Sequence, residues 1–312
     1  MQTDRRLRSV ALLAILAITS QCLSACQTAR AGARCATGAV ARDATHVLQC
    51  RNGRWRRTIT RSQAAALVQA ILRARIPPPP AGPPIVSVYG DSVALSLGLL
   101  VAGWHSSGAP IRLADGITDL GCGITIGGLR QFVTIEPMPP DCDRWPTRWP
   151  ALVTWTDPDI VLVHSAQWEL VDRLLPGDSV WRSVGDPVFD ETLRTAVLNV
   201  TDRMSANGAL VAWVNAPRYG AALQGQGTEA QRRSHADARV DRYNQILAEA
   251  VAARPATATI VDLASWMLPR RNDLTIRSDG SHFDWNDANP VIREFIGPEV
   301  VRLAAGRSLQ PA

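Results

Sequence analysis

Four apolar runs separated by helix-forming stretches constrain this 312-residue chain more than any other feature. Residues 85–89, 159–163, 209–214 and 258–262 are dominated by apolar residues without regular polar alternation, so each predicted strand needs cover on both faces. Helical stretches fall between them at 93–101, 186–204 and 239–253. In the second of these, Asp186 is placed to cap the helix and Pro187 sits in its first turn. Strands buried on both sides and alternating with helices predict an α/β fold, a three-layer sandwich with a parallel sheet flanked by helices. In such sheets chemistry gathers at the carboxyl ends of the strands.

The first run stops on Gly90-Asp91-Ser92. A Ser at that point is a helix cap or a nucleophile. A cap alone requires neither a tight Gly-Asp-Ser turn nor a partner histidine, and a partner exists. The stretch Ser278-Asp279-Gly280-Ser281-His282-Phe283 puts Asp279 three residues before His282. On a turn, that spacing lets the carboxylate hold the imidazole Nδ1–H while Nε2 faces substrate. The expected set is Ser92 as nucleophile, His282 as base and Asp279 as orienter, with capping by Ser92 as a secondary benefit.

Gly90-Asp91-Ser92 early and Asp279-x-x-His282 late resemble the SGNH/GDSL hydrolase superfamily, over about residues 85–305. The nearest likeness is to versions tied to acylation or deacylation of bacterial surface glycans. Gly121-Cys122-Gly123-Ile124 resembles the glycine block that supplies a backbone N–H to the oxyanion hole. Residues 161–170 fall where the family's Gly-x-Asn-Asp block is expected, and Tyr243-Asn244 and Val261-Asp262-Leu263 match the approach to the Asp-x-x-His loop. One departure stands out: Trp168 takes the place of the family's Asn, and Ala166 that of its Gly. Losing a side-chain oxyanion donor costs roughly 3–4 kcal/mol in an enzyme built around it. The remaining donors are the amides of Ser92 and Gly121 (or Gly123), with Gln167 as a candidate replacement for the missing amide.

The resemblance implies acyl-serine chemistry on an acylated cell-envelope glycan, without metal or organic cofactor. Hydrolysis and transfer differ only in the acceptor, and a transferase would need a separate membrane partner to supply the acyl group. A glycan-binding protein on the same scaffold is the reading from a different class. Gly90-x-Ser92-x-Ala94 nearly matches the nucleophile elbow of ordinary α/β-hydrolases, but those place Ser after several strands and Asp far from His. His105, His164 and His235 are scattered without ligand spacing, and no phosphate loop or convincing dinucleotide fingerprint is present.

The amino terminus reads as a targeting segment. Arg5, Arg6 and Arg8 precede an apolar stretch at 10–18, too short for an ordinary membrane span, and Leu23-Ser24-Ala25-Cys26 resembles a bacterial lipobox. Residues 1–25 are thus expected to be a signal peptide and Cys26 the lipid acceptor, anchoring an exported protein to the outer face of the membrane. Removing Cys22 and Cys26 leaves four cysteines. In an oxidising compartment these suggest two disulfides, and sequence order favours Cys35–Cys50 and Cys122–Cys142.

Residues 27–60 read as a small Cys hairpin module with an Asn52-Gly53 turn and Trp55, resembling hairpin modules on some bacterial surface proteins and taken here as a structural spacer. A helix and Pro-rich linker fill 61–84, and the catalytic domain spans 85–306. The chain has no Lys. Residues 1–75 hold thirteen Arg against Asp4 and Asp43, and the rest holds twenty Arg against twenty-six acids. Because the basic surface is not on the large domain, nucleic acid is not an expected partner; the basic segment fits anionic lipid or polymer, or is a solvated basic face. Trp145, Trp149, Trp155, Trp168 and Trp285 lie in or near the pocket segments, where flat faces suit sugar rings but also serve as core.

Overall fold

The computed structural model describes residues 28–64, 82–286 and 289–308. The signal segment 1–25, the lipobox with Cys26, and residues 65–81 of the expected helix and linker lie outside the described residues. The chain divides into two compact units, Met1–Arg75 and Ile76–Ala312.

The first unit is a three-stranded antiparallel sheet of β1 (Val40–Arg42), β2 (His46–Arg51) and β3 (Arg54–Thr60). Asn52 and Gly53 join β2 to β3 with φ of 53° and 70°. Positive φ at both central residues gives a turn whose twist matches the strands it connects. Ala41, Leu48, Cys50 and Trp55 form a miniature core. A core this small needs a staple, and the Cys35–Cys50 disulfide supplies it.

The second unit begins with β4 (Ile85–Gly90), α1 (Ser92–Ser106), β5 (Arg112–Leu113) and β6 (Ile117–Thr118). Then come β7 (Leu129–Gln131), β8 (Ile135–Pro137), α2 (Trp145–Thr156) and β9 (Ile160–His164). The chain continues through β10 (Asp172–Leu174), β11 (Trp181–Arg182), α3 (Pro187–Met204) and β12 (Leu210–Val214). Two short helices, α4 (Ala221–Gln224) and α5 (Glu229–Ser234), lead into α6 (Asp237–Ala252). The last elements are β13 (Ala258–Val261), α7 (Leu263–Met267), a π-helical segment (Val291–Ile296) and α8 (Gly297–Ser308).

The main sheet has the order β13-β12-β9-β4-β5, with β6 also on β4, and every pairing is parallel. Successive residues of each apolar run feed opposite cores. Val86, Val88, Ile160, Leu162, Ala212 and Val214 pack with α1, α7, the π-helical segment and α8. Tyr89, Val161, Val163, Val211 and Trp213 pack with α2, α3 and α6. This explains the missing alternation, since both faces are buried and each large aliphatic side chain so placed contributes about 1.5–3 kcal/mol. Asp186 caps α3 through its Oδ1, which accepts from the amides of Val188 (2.8 Å) and Phe189 (3.3 Å), with Pro187 in the first turn.

A second sheet, absent from the sequence reading, is antiparallel with order β11-β10-β7-β8. Its strands are only two or three residues long, too short to carry a period-2 signature. Arg130 on β7 stands directly opposite Arg173 on β10.

Candidate active site

The carboxyl end of β4 places Ser92. Gly90 has φ of +140°, and a Cβ there would lie 1.7 Å from the His164 carbonyl oxygen. Only glycine lets β4 stay paired with β9 up to its last residue. Asp91 is buried and serves both sides of the turn. Its Oδ1 accepts from the amides of Val93 at 2.9 Å and Ala94 at 3.3 Å, and its Oδ2 from Ala166 at 3.0 Å. Capping therefore belongs to Asp91. The secondary capping role expected of Ser92 is corrected: Ser92 is the first helical residue, and its hydroxyl is left for other use.

That hydroxyl meets His282. Ser92 Oγ lies 2.8 Å from His282 Nε2, and His282 Nδ1 lies 2.7 Å from Asp279 Oδ2. The other Asp279 oxygen accepts from the Ser281 amide (2.7 Å) and the His282 amide (2.8 Å), which folds the three-residue spacing into a tight turn. Burial works to raise the Asp279 pKa, but the His282 ring N–H and those two amides outweigh it and hold the carboxyl below its ordinary value. An ionised carboxylate only accepts, so Nδ1 carries the proton, and in that tautomer Nε2 accepts from the Ser92 hydroxyl. The loop is anchored from behind by buried Arg277, whose Nη2 donates to the carbonyls of Arg218 (2.9 Å) and Arg271 (3.1 Å).

The glycine block lies against the same strand end. Asp119 donates its amide to the Gly90 carbonyl at 2.8 Å, and Cys122 donates to Asp119 at 3.1 Å. The Cys122–Cys142 disulfide ties the block to the turn at Pro140–Arg144, and Arg130 donates to the Gly121 carbonyl. Among the described residues the amides of Gly121 and Gly123 donate to no protein acceptor.

The block at 164–170 runs from the end of β9 into a turn. Gln167, Trp168 and Glu169 form one short 3-10 turn, in which Gln167 and Glu169 are buried. Gln167 Nε2 and Trp168 Nε1 are buried N–H groups without a protein partner, and neither side chain bonds Ser92 or His282 among the described contacts. Trp168 instead packs beneath the Arg130 guanidinium, 4.1 Å from ring centroid to carbon, and edge-on to Phe132.

Of the remaining tryptophans, Trp145 and Trp149 are core and not sugar platforms, because both are buried. Their indole N–H groups still serve the site: Trp145 donates to the Ile124 carbonyl at 2.9 Å and Trp149 to Asp119 at 3.1 Å. Trp155 is exposed but shares a groove with Ile85 and Arg112, at the amino end of β4 and thus away from Ser92. Trp285, three residues past His282, is 69% exposed. His164 is buried with Nδ1 on the Val214 carbonyl at 2.9 Å, His105 faces the Ile111 carbonyl, and His235 stacks near Tyr219. Sequence reasoning missed Arg130, Arg173, Arg277 and the second role of Asp91. A buried arginine bonded to backbone carbonyls leaves no local signature.

No protein-family model matches the chain, and no curated protein matches it. Among solved structures it is similar to a GDSL-like lipase from Bacteroides thetaiotaomicron VPI-5482, at 11% identity and TM-score 0.44, over 76% of this chain and 97% of that one. It is also similar to the psychrotrophic esterase EstA from Pseudoalteromonas sp., at 14% identity and TM-score 0.41, over 71% and 98%. A third is an acetyl xylan esterase, AlAXEase, at 13% identity and TM-score 0.39, over 72% and 100%. The chain resembles the SGNH/GDSL hydrolases. A Ser directly after the first strand of the parallel sheet and an Asp-x-x-His turn after its last strand carry the likeness.

Proposed function

We propose that this protein is a serine esterase that removes O-acyl groups, acetyl foremost, from cell-envelope carbohydrate. The observation that carries the reading is the continuous relay from Ser92 Oγ through His282 to Asp279, at 2.8 and 2.7 Å. Ser92 attacks the acyl carbonyl while His282 Nε2 takes its proton, and Asp279 stabilises the imidazolium. The tetrahedral oxyanion is met by the amides of Ser92 and of Gly121 or Gly123. His282 then returns the proton to the departing sugar oxygen, leaving acyl-Ser92. Water, deprotonated by the same imidazole, releases the acid and restores Ser92. Transfer would replace water with a second sugar hydroxyl and would need a membrane partner to load the acyl group, which favours hydrolysis for this chain alone.

The carbohydrate substrate rests on the likeness of the Ser92 and Asp279–His282 motifs to those of surface-glycan versions of the superfamily. Export rests on the two disulfides, and lipid attachment on the sequence at Cys26. Among the described residues no helix is long and apolar enough to cross a membrane.

The test is turnover of p-nitrophenyl acetate by the full chain beside Ser92→Ala, followed by acetylated xylan as a carbohydrate ester. Release abolished by the substitution supports an acyl-serine enzyme. Equal background rates from both proteins would leave a binding role on the same scaffold as the better reading.

A further inference from the structure

Glu169 is a charged side chain with no exposure at all, and its oxygens are spent on the glycine block. Oε1 accepts the amides of Ile124 and, at 3.1 Å, of Thr125, while Oε2 takes the Thr125 hydroxyl at 2.5 Å. That hydroxyl in turn accepts from Arg173 Nη1 at 2.8 Å. Arg173, also without exposure, donates through Nη2 to the carbonyls of Thr125 (3.2 Å) and Gly127 (2.8 Å). The contact between carboxylate and loop is tight: a Cβ on Gly123 would stand 2.2 Å from Glu169 Oε1.

We propose that Glu169 is a positioning residue for the oxyanion hole, its carboxylate holding the 121–125 loop so that the loop's free backbone N–H groups face the oxyanion. The inference rests on the esterase reading above.

Three features carry it. The carboxylate takes the two amides that follow Gly123, so they are unavailable to substrate, while the amides of Gly121 and Gly123 have no protein acceptor among the described residues. The loop is fixed at both ends, by Arg130 on the Gly121 carbonyl and by Arg173 on Thr125 and Gly127, and those two arginines are cross-strand partners. Like charges placed opposite one another in a sheet are unfavourable. Here Arg130 pairs with Glu136 at 2.7 Å, and Arg173 reaches Glu169 through the Thr125 hydroxyl. Burial also pushes the Glu169 carboxyl up and the Arg173 guanidinium down in pKa, despite their mutual attraction. Such an arrangement is poorly suited to stability alone, since a buried ion pair often gains nothing over apolar packing. It is well suited to fixing a loop.

The experiment compares full-length wild type with Glu169→Gln and Thr125→Val. It reads kcat and KM on p-nitrophenyl acetate, the Ki of phenylboronic acid and the thermal midpoint. The boronate forms a tetrahedral anion on Ser92 and so reports the oxyanion donors without turnover. Glu169→Gln is expected to lower kcat by about 10²-fold, with KM within about twofold and Ki raised in proportion to the fall in kcat. Thr125→Val, which cuts the link to Arg173, moves kcat and Ki in the same direction by a smaller factor. A folded Glu169→Gln protein with wild-type kcat and Ki overturns the proposal, as does a fall in kcat with Ki unchanged. If Glu169→Gln does not fold, wild-type kcat and Ki in Thr125→Val overturn it. Wild type without Ser92-dependent turnover overturns the esterase reading and this role together, an outcome distinct from all the others.

Discussion

The Ser96 hydroxyl, one helical turn beyond Ser92, accepts the backbone N–H of Phe283 at 3.2 Å and donates to the Val93 carbonyl at 2.7 Å. Phe283 directly follows His282, so this bond joins the helix that presents Ser92 to the loop that presents His282. Ser96→Ala strands a buried N–H, at a cost of about 1–3 kcal/mol. Urea denaturation should show that loss. Turnover should fall less than in His282→Ala, because the catalytic groups remain but their spacing loosens.

Asp91 separates two functions that a substitution can divide. Asp91→Ser keeps a side-chain cap for α1 but gives up the bond from Ala166 (3.0 Å in the wild type), whereas Asp91→Ala gives up both. The cap alone is worth about 1 kcal/mol. Thermal unfolding should therefore rank wild type above Asp91→Ser and Asp91→Ser above Asp91→Ala. Equal stability of the two variants, both below wild type, would show that the Ala166 bond, and not the cap, sets stability there.

At Gly90 the steric demand is absolute. An alanine Cβ would lie 1.7 Å from the His164 carbonyl oxygen at a φ of +140°, so β4 and β9 must separate at the strand end. Gly90→Ala should cost about 3 kcal/mol or more and abolish turnover. A variant that melts within a few degrees of wild type and still hydrolyses ester would refute the close packing at this turn.

Acid should affect the Asp279 turn late. The folded-state pKa of this carboxyl is lowered, so the stability it confers is complete above the unfolded-state pKa of about 3.9 and fades as pH drops through the lower folded value. The stability difference between wild type and Asp279→Asn should thus stay level from about pH 5 to pH 8 and narrow only below about pH 4. Because this side chain is about half exposed, the difference should be small. The loss of kcat in Asp279→Asn should be large, about 10²–10⁴-fold. A difference that narrows already near neutrality would contradict the lowered pKa.

The parallel sheet was legible because strands buried on both faces must be apolar throughout, and residues 85–89 and 159–163 are nearly so. Ser92, Asp279 and His282 could be read because short spacings around tight turns carry their geometry locally. The support of the glycine block could not. Arg130 and Arg173 act from strands of three residues each, and Glu169 reaches Ile124 across 45 positions of sequence. Trp145 and Trp149 misled for a related reason: an indole in a pocket segment looks the same whether its face meets a sugar or a neighbouring helix.

Ser92 and His282 are separated by 190 positions, and the strand bearing the first sits in the middle of the sheet while the turn bearing the second follows the edge strand β13. On the esterase reading the nucleophile therefore emerges during synthesis 190 positions before its base, and a nascent chain lacking residue 282 is inert towards an ester. On that reading chemistry switches on only after residue 282 has emerged and its turn docks against α1. The appearance of hydrolytic activity would then time the completion of this domain more sharply than the growth of secondary structure.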